Sequence, residues 1–203
     1  MSKLLLATNN KDKVREYRSL LQNLPFELVT PAELGITTVV REVGQSLEEN
    51  AGLKATVLAV ESQLLALADD SGLEVDALNG EPGRLSARYA GENASDRDRV
   101  SYLLARLKSV PQPRRSARFR CVIAIATPEG KIEFCSGECP GFITFEPRGE
   151  QGFGYDPIFY LPELDKTMAE LPLEIKNRVS HRGQAARKVP QMLERLTGDK
   201  YAG

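Results

Sequence analysis

The 203-residue sequence holds one histidine, three cysteines and no surplus of either charge. His181, with Cys135 and Cys139 four residues apart, is too thin a ligand set for zinc, whose structural sites draw on four Cys or His. Three thiols, Cys121, Cys135 and Cys139, cannot all pair within one chain. Free thiols in a reducing cytoplasm are therefore expected. Lys+Arg 27 against Asp+Glu 28 gives a net charge of -1. That balance excludes the basic domain of a bulk nucleic-acid binder, while leaving room for a local basic pocket. The one apolar run near the start, in MSKLLLATNN, is too brief for a signal-peptide core or a membrane span, so no membrane association is expected. A Walker pattern and a G-x-S-x-G elbow are both absent, and the G-x-G of GFGYDP lacks a dinucleotide-binding context. There is no internal repeat and no low-complexity tract.

What is present is an ordinary soluble composition, 41% hydrophobic and 27% charged. The length suits one core, or one divided into two lobes around a cleft. Lys3 to Ala7 reads as a buried strand. Asn10 stands as a helix cap before Val14, Tyr17, Leu20, Leu21 and Leu24, whose spacing predicts a helix to about Asn23. Phe26 to Thr30 predicts a second strand. Ser46-Leu47-Glu48-Glu49 has capping-box form and opens a long helix through Leu53, Val57, Val60 and Leu64. Leu65 to Ala68 predicts a strand leading to Asp69, and Gly80, Pro82 and Gly83 a loop. Ser95 or Asp96 caps a helix to about Leu107. Ala117 to Thr127 and Lys131 to Ser136 predict a hairpin across Pro128-Glu129-Gly130. A further strand is expected at Gly141 to Glu146, and a last helix over Gly183 to Leu196. This alternation predicts a single α/β domain, residues 1–203, with a mixed sheet.

Five stretches carry candidate chemistry. In LLALADDSGL an apolar run stops on Asp69 and Asp70. Taken alone, Asp-Ser-Gly favours a turn over a metal site. Adjacent strand residues point to opposite faces, so the two acids serve as equal ligands only if the strand has already ended. Carboxylates with water and phosphate oxygens suit Mg²⁺, with Glu42 of REVG as a second acid. In ATNNKDK, Lys11 and Lys13 occupy a first helical turn, where the macrodipole disfavours cations unless an anion is bound there too. In isolation a solvated helix start is the stronger reading. In ENAGLKA, Asn50 and Lys54 are four apart and share a face. Lys54 either reaches a phosphate or carboxylate or snorkels to water, and the mid-helix Gly52 points to close packing. In GFGYDPIF, Phe153 and Tyr155 offer a flat surface for a base, or a core contact. In KNRVSHRGQAARK, His181 is either structural or a ligand, and Arg182 carries donors for a base carbonyl. Arg114, Arg115, Arg118 and Arg120 around Phe119 imitate a nucleic-acid patch. Alternation puts Arg118 and Arg120 on one face and Phe119 and Cys121 on the other, so a solvated strand face is expected.

Together ATNNKDK, ENAGLKA, ADDSGLEVDALNGEPGRLSARYAG, FGYDPIF and SHRGQA, in this order, resemble the inosine triphosphate pyrophosphatase family. The resemblance covers residues 7 to about 186. It implies an elongated α/β fold, a mixed sheet with flanking helices and two lobes around a central nucleotide-binding cleft, in a cytoplasmic homodimer. It also implies Mg²⁺-dependent release of pyrophosphate from ITP, dITP and XTP, cleansing the nucleotide pool. By position, Thr8, Asn9, Asn10, Lys11, Asp12 and Lys13 hold the triphosphate, with Lys54 assisting catalysis. Asp70 is the acid–base residue and a metal ligand, and Glu42 a further metal contact. Ser71, Phe153, Gly154, Tyr155, Asp156, Lys176, His181 and Arg182 hold the nucleotide. Two rivals are a pyrophosphatase for other modified nucleotides, as among the related Maf-like proteins, and a non-enzymatic nucleotide or RNA-binding module. The acids of ADDSGL speak against pure binding, because carboxylates repel a polyphosphate without a metal.

Overall fold

The structure is a computed structural model describing residues 2–199; Met1 and residues 200–203 of the expected 1–203 domain lie outside the described residues. The strands are β1 (Ser2–Leu6), β2 (Phe26–Val29), β3 (Leu65–Val75), β4 (Pro82–Gly83), β5 (Ser116–Ala126), β6 (Ile132–Ile143), β7 (Phe159–Leu161) and β8 (Lys166–Thr167). They order as β2-β1-β3-β5-β6-β7-β8, with β4 beside β3. β1 pairs parallel with β2 and β3, whereas β3–β4, β6–β7 and β7–β8 are antiparallel. The sheet is mixed, as expected. The helices are α1 (Lys11–Leu20), α2 (Leu47–Ser62), α3 (Asp96–Arg106), α4 (Leu173–Val179), α5 (His181–Ala186) and α6 (Val189–Thr197). Among the described residues no helix is long and apolar enough to cross a membrane.

The described residues form two compact units, the first comprising residues 2–70, 121–137 and 182–199 and the second residues 71–120 and 138–181. In the first unit, strand alternation builds two cores. Leu4, Leu6, Leu67, Cys121, Ile123 and Ile125 pack against Tyr17 and Leu21 of the α1 region, Ala185 and Ala186 of α5, and Met192 and Leu193 of α6. Leu5, Ala66, Ala68, Val122, Ala124 and Ala126 face the other way, onto Leu47, Ala51, Ala55, Leu58 and Ala59 of α2. Small residues on both partners let α2 lie close to the sheet. Gly52 is explained by the same closeness, since a Cβ there would come 3.1 Å from the Phe134 ring. In the second unit, Leu73, Val75, Phe119, Cys139 and Ile143 pack with Val100, Leu103, Ile158, Phe159, Met168 and Leu171.

Four expectations need correction. β3 does not stop at Asp69 but continues to Val75, because Leu73 and Glu74 pair with Gly83 and Pro82, the residues expected to form only a loop. The two strands expected at 131–136 and 141–146 are one strand, β6. The last helix is two, α5 and α6, the second with a proline in its first turn. Ser46 caps α2 by accepting from Glu49 N–H, but the Glu49 carboxylate takes the N–H of Gln45 rather than that of Ser46, so the capping box is half formed. The arginine cluster also divides. Arg118 and Arg120 pair with Glu74 at 2.8 and 3.1 Å. Arg115 is instead buried, donating to the carbonyls of Leu107, Val110 and Thr144.

Candidate active site

Because β3 runs through both acids, alternation gives them different neighbours. Asp69 shares the face of Leu67, towards α1 and α5, and Asp70 shares that of Ala66 and Ala68, towards α2. The Asp69 carboxylate, 0% exposed, takes Lys13 Nζ at 2.9 Å. It also accepts from Arg182 Nη2 and Nε at 3.1 and 3.3 Å. Arg182 Nη1 donates to Glu16 Oε2 at 2.7 Å. Burial pushes the Asp69 carboxyl up, but Lys13, Arg182 and Lys54 outweigh it and hold the group far below the usual carboxylate range. Burial likewise opposes charge on Arg182, and Asp69 with Glu16 reverses that. Arg182 therefore differs from its expected placement: it is 1% exposed, and all three guanidinium nitrogens donate to protein carboxylates.

On the opposite face, Asp70 Oδ2 accepts from Asn50 Nδ2 at 2.9 Å. Asp70 Oδ1 lies 3.9 Å from Lys54 Nζ. Lys54 in turn donates to Glu42 Oε1 and to the Asp69 carbonyl, each at 2.8 Å. Asn50 and Lys54, expected to share a face of their helix, both reach Asp70. Burial raises the Asp70 carboxyl, Lys54 lowers it, and neighbouring Glu42 helps keep the net shift upward. Burial opposes charge on Lys54, but Asp70, Glu42 and Asp69 together raise it above its ordinary value. One acid is thus held charged as an anchor, and the other is held closer to its proton.

The start of α1 is partly closed by its own cap. Asn10 Oδ1 accepts from Asp12 and Lys13 N–H at 2.9 and 3.0 Å, so these donors do not face an anion. Thr8 Oγ1 takes Asn10 N–H, and Asn9 and Lys11 are exposed. What this turn retains for a phosphate is side-chain chemistry rather than a bare helix terminus.

In the second unit, Asp156 Oδ2 accepts from Phe153 N–H at 2.9 Å and from Lys176 Nζ. Lys176 Nζ stands 4.9 Å from the centre of the Phe153 ring, which is itself half-buried. Gly154 N–H donates to Asp96 Oδ2. Tyr155 departs from the expected flat surface: it is buried, and its hydroxyl donates to Ser86 O at 2.9 Å. His181 is buried and stacks on Phe119, with ring centres 4.7 Å apart. Ser71, next after Asp70 in β3, is half-buried. Sequence reasoning missed Glu16. Its signal was a carboxylate three residues after Lys13 and four before Leu20, on a face that α1 buries.

Among the described residues no three His, Cys, Asp or Glu side chains form a ready metal cage. Asp70 and Glu42 nevertheless converge on one ammonium, and both offer hard oxygen. Mg²⁺ is commonly held by one or two carboxylates completed by substrate phosphates and water, so this donor set fits it. All three cysteines are free, and burial pushes the Cys121 thiol up to about 12, far from a reactive thiolate.

Fold and site together define an α/β protein with an acid–lysine cluster suited to polyphosphate chemistry. The chain belongs to the Ham1 family, whose profile matches residues 4–192. A dITP/XTP pyrophosphatase of Desulforamulus reducens is 52% identical over 194 residues, covering 96% of this chain and 96% of that protein. One of Geobacter sulfurreducens is 54% identical over 185 residues, covering 91% and 93%. A solved HAM1 protein from Coxiella burnetii superposes with TM-score 0.86 at 42% identity, over 96% of this chain and 100% of that one.

Proposed function

We infer that this protein hydrolyses non-standard purine nucleoside triphosphates, ITP, dITP and XTP, to monophosphate and pyrophosphate, as a single functional domain. The observation that carries the reading is the Glu42–Lys54–Asp70 cluster in a chain so similar to dITP/XTP pyrophosphatases. Lys13 and Lys54 neutralise the triphosphate, with Thr8, Asn9, Asn10, Lys11 and Asp12 around it. Asp70 orients a water and takes its proton as the water oxygen bonds to the α-phosphorus. The bridge from that phosphorus to the β-phosphate breaks, and pyrophosphate leaves. A carboxyl whose affinity for a proton is raised suits that task better than an ordinary one. Glu42 and Asp70 are the protein's ligands for Mg²⁺, which when bound offsets charge on the phosphates and polarises water.

In the same reading, Phe153 stacks on the base, and Ser71, Gly154, Asp156, Lys176 and His181 complete its surroundings. Arg182 serves by holding Asp69, and Tyr155 by anchoring its loop to Ser86. A homodimer working in the cytoplasm on damaged nucleotides completes the proposal. The test is pyrophosphate release across ITP, dITP, XTP, ATP and GTP, with and without Mg²⁺. Turnover of the first three, needing the metal, with ATP and GTP nearly untouched, is expected. Orthophosphate as product, or equal rates on ATP and ITP, refutes it.

A further inference from the structure

We propose that Asn50 is a positioning residue that fixes Asp70 and the segment carrying Glu42 relative to each other. Asn50 is 0% exposed, on the face of α2 that otherwise buries Leu47, Ala51, Ala55 and Leu58. An apolar residue would satisfy that packing, so an amide there needs a polar reason. Both ends of the amide have one. Nδ2 donates to Asp70 Oδ2 at 2.9 Å, and Oδ1 accepts from Gly44 N–H at 2.8 Å. A backbone N–H can only donate and a carboxylate only accept, so the amide has one orientation.

Two consequences follow. With Oδ2 held by Asn50, Asp70 presents Oδ1 towards Lys54, which also holds Glu42. The second bond ties down Gly44, two residues beyond Glu42. That segment is fastened again one residue later, where Gln45 N–H donates to Glu49 Oε2 at 2.7 Å. The approach is close enough to require glycine, since a Cβ on Gly44 would lie 2.7 Å from Asn50 Oδ1 and 2.7 Å from Glu49 Cβ. Asn50 thus sets the spacing between two carboxylates that come from separate parts of the chain. Partners of this kind, acting behind metal ligands, are commonly worth about 10- to 100-fold in metal affinity or activity.

The proposal rests on the metal-dependent pyrophosphatase reading, and the test separates the two. Asn50→Asp keeps the acceptor for Gly44 but turns the donor facing Asp70 into an acceptor. Asn50→Leu removes both bonds, and Gly44→Ala disturbs the pair from the loop side without touching the core. Each folded variant is assayed for kcat, nucleotide KM and the Mg²⁺ concentration for half-maximal rate. Hydrogen–deuterium exchange around residues 42–46 is measured without metal or nucleotide. All three are expected to lower kcat or raise the Mg²⁺ requirement by about 10- to 100-fold, with nucleotide KM within about threefold. Exchange should accelerate in Asn50→Leu and Gly44→Ala, and not in Asn50→Asp. Folded variants with unchanged kcat and Mg²⁺ requirement overturn the positioning role, even if their melting temperatures fall. An inactive or metal-independent wild-type enzyme overturns the underlying reading instead.

Discussion

Replacing one or the other of two adjacent aspartates by asparagine should have unequal effects on stability. The Asp69 carboxylate is 0% exposed and faces Lys13 and Arg182 at 2.9 and 3.1 Å. Asp69→Asn keeps the shape but removes the charge that Nε and Nη2 of the 1%-exposed Arg182 side chain reach, while Nη1 keeps Glu16. Breaking a buried ion pair from one side costs about 3–5 kcal/mol. For chains of about 150–250 residues each kcal/mol shifts the melting temperature by about 2–4 °C, so a fall of about 6–20 °C is expected. Asp70 is different, because its proton affinity is raised in the fold. Its ionised form is disfavoured by folding: whatever stability its proton lends below the unfolded pKa is lost as pH rises through the folded one. At pH 7 Asp70→Asn should therefore leave the melting temperature equal or higher, while still offering an oxygen to Asn50. The Asp69 contribution has the other sign. It is complete above the unfolded pKa of about 3.9 and is lost as pH falls towards the folded value, so the gap between wild type and Asp69→Asn should narrow below about pH 4. Thermal melts of metal-free protein at pH 7 and pH 3.5 measure this directly. Equal melting temperatures, or a larger loss in Asp70→Asn, would refute the assignment of anchor to Asp69 and working acid to Asp70.

Asp70→Asn should cut kcat by at least about 10²-fold in the same pyrophosphate assay, the usual worth of a positioned acid–base group. Arg182→Ala should lower the melting temperature strongly and reduce turnover of ITP and ATP alike; a selective loss on ITP would restore direct base recognition to Arg182. Phe153→Ala should raise KM for every purine by similar factors, since stacking is indifferent to base edges, and steady-state kinetics on ITP and ATP check it. EDTA should abolish turnover and Mg²⁺ restore it, as followed by pyrophosphate release.

Much of the frame is local and was readable along the chain. The Asn10 and Ser46 caps, the helical spacing of α1 and α2, and the turn at residues 128–130 depend on neighbours a few positions apart. The motif order pointed to a family because it retains the site residues in sequence. The end of β3 misled for a physical reason: Asp-Ser-Gly has turn chemistry, yet Gly72 lies in a strand where Gly83 O comes within 2.3 Å of where a Cβ would be. No local rule reports that approach.

Alternation along LALADD makes Asp69 and Asp70 look opposite ways once the strand runs through both, and that continuation was not readable locally. Only tertiary structure decided what each one meets. Arg182 reaches Asp69 from a helix that begins over a hundred residues later. Glu16 joins them because α1 buries the face that carries it. Charge and burial act through space, so one carboxyl is held charged beside Lys13 and Arg182, whereas burial and neighbouring Glu42 raise the other's affinity for a proton. Composition and spacing fix which groups are available, and packing fixes their distances, on which every one of these energies depends.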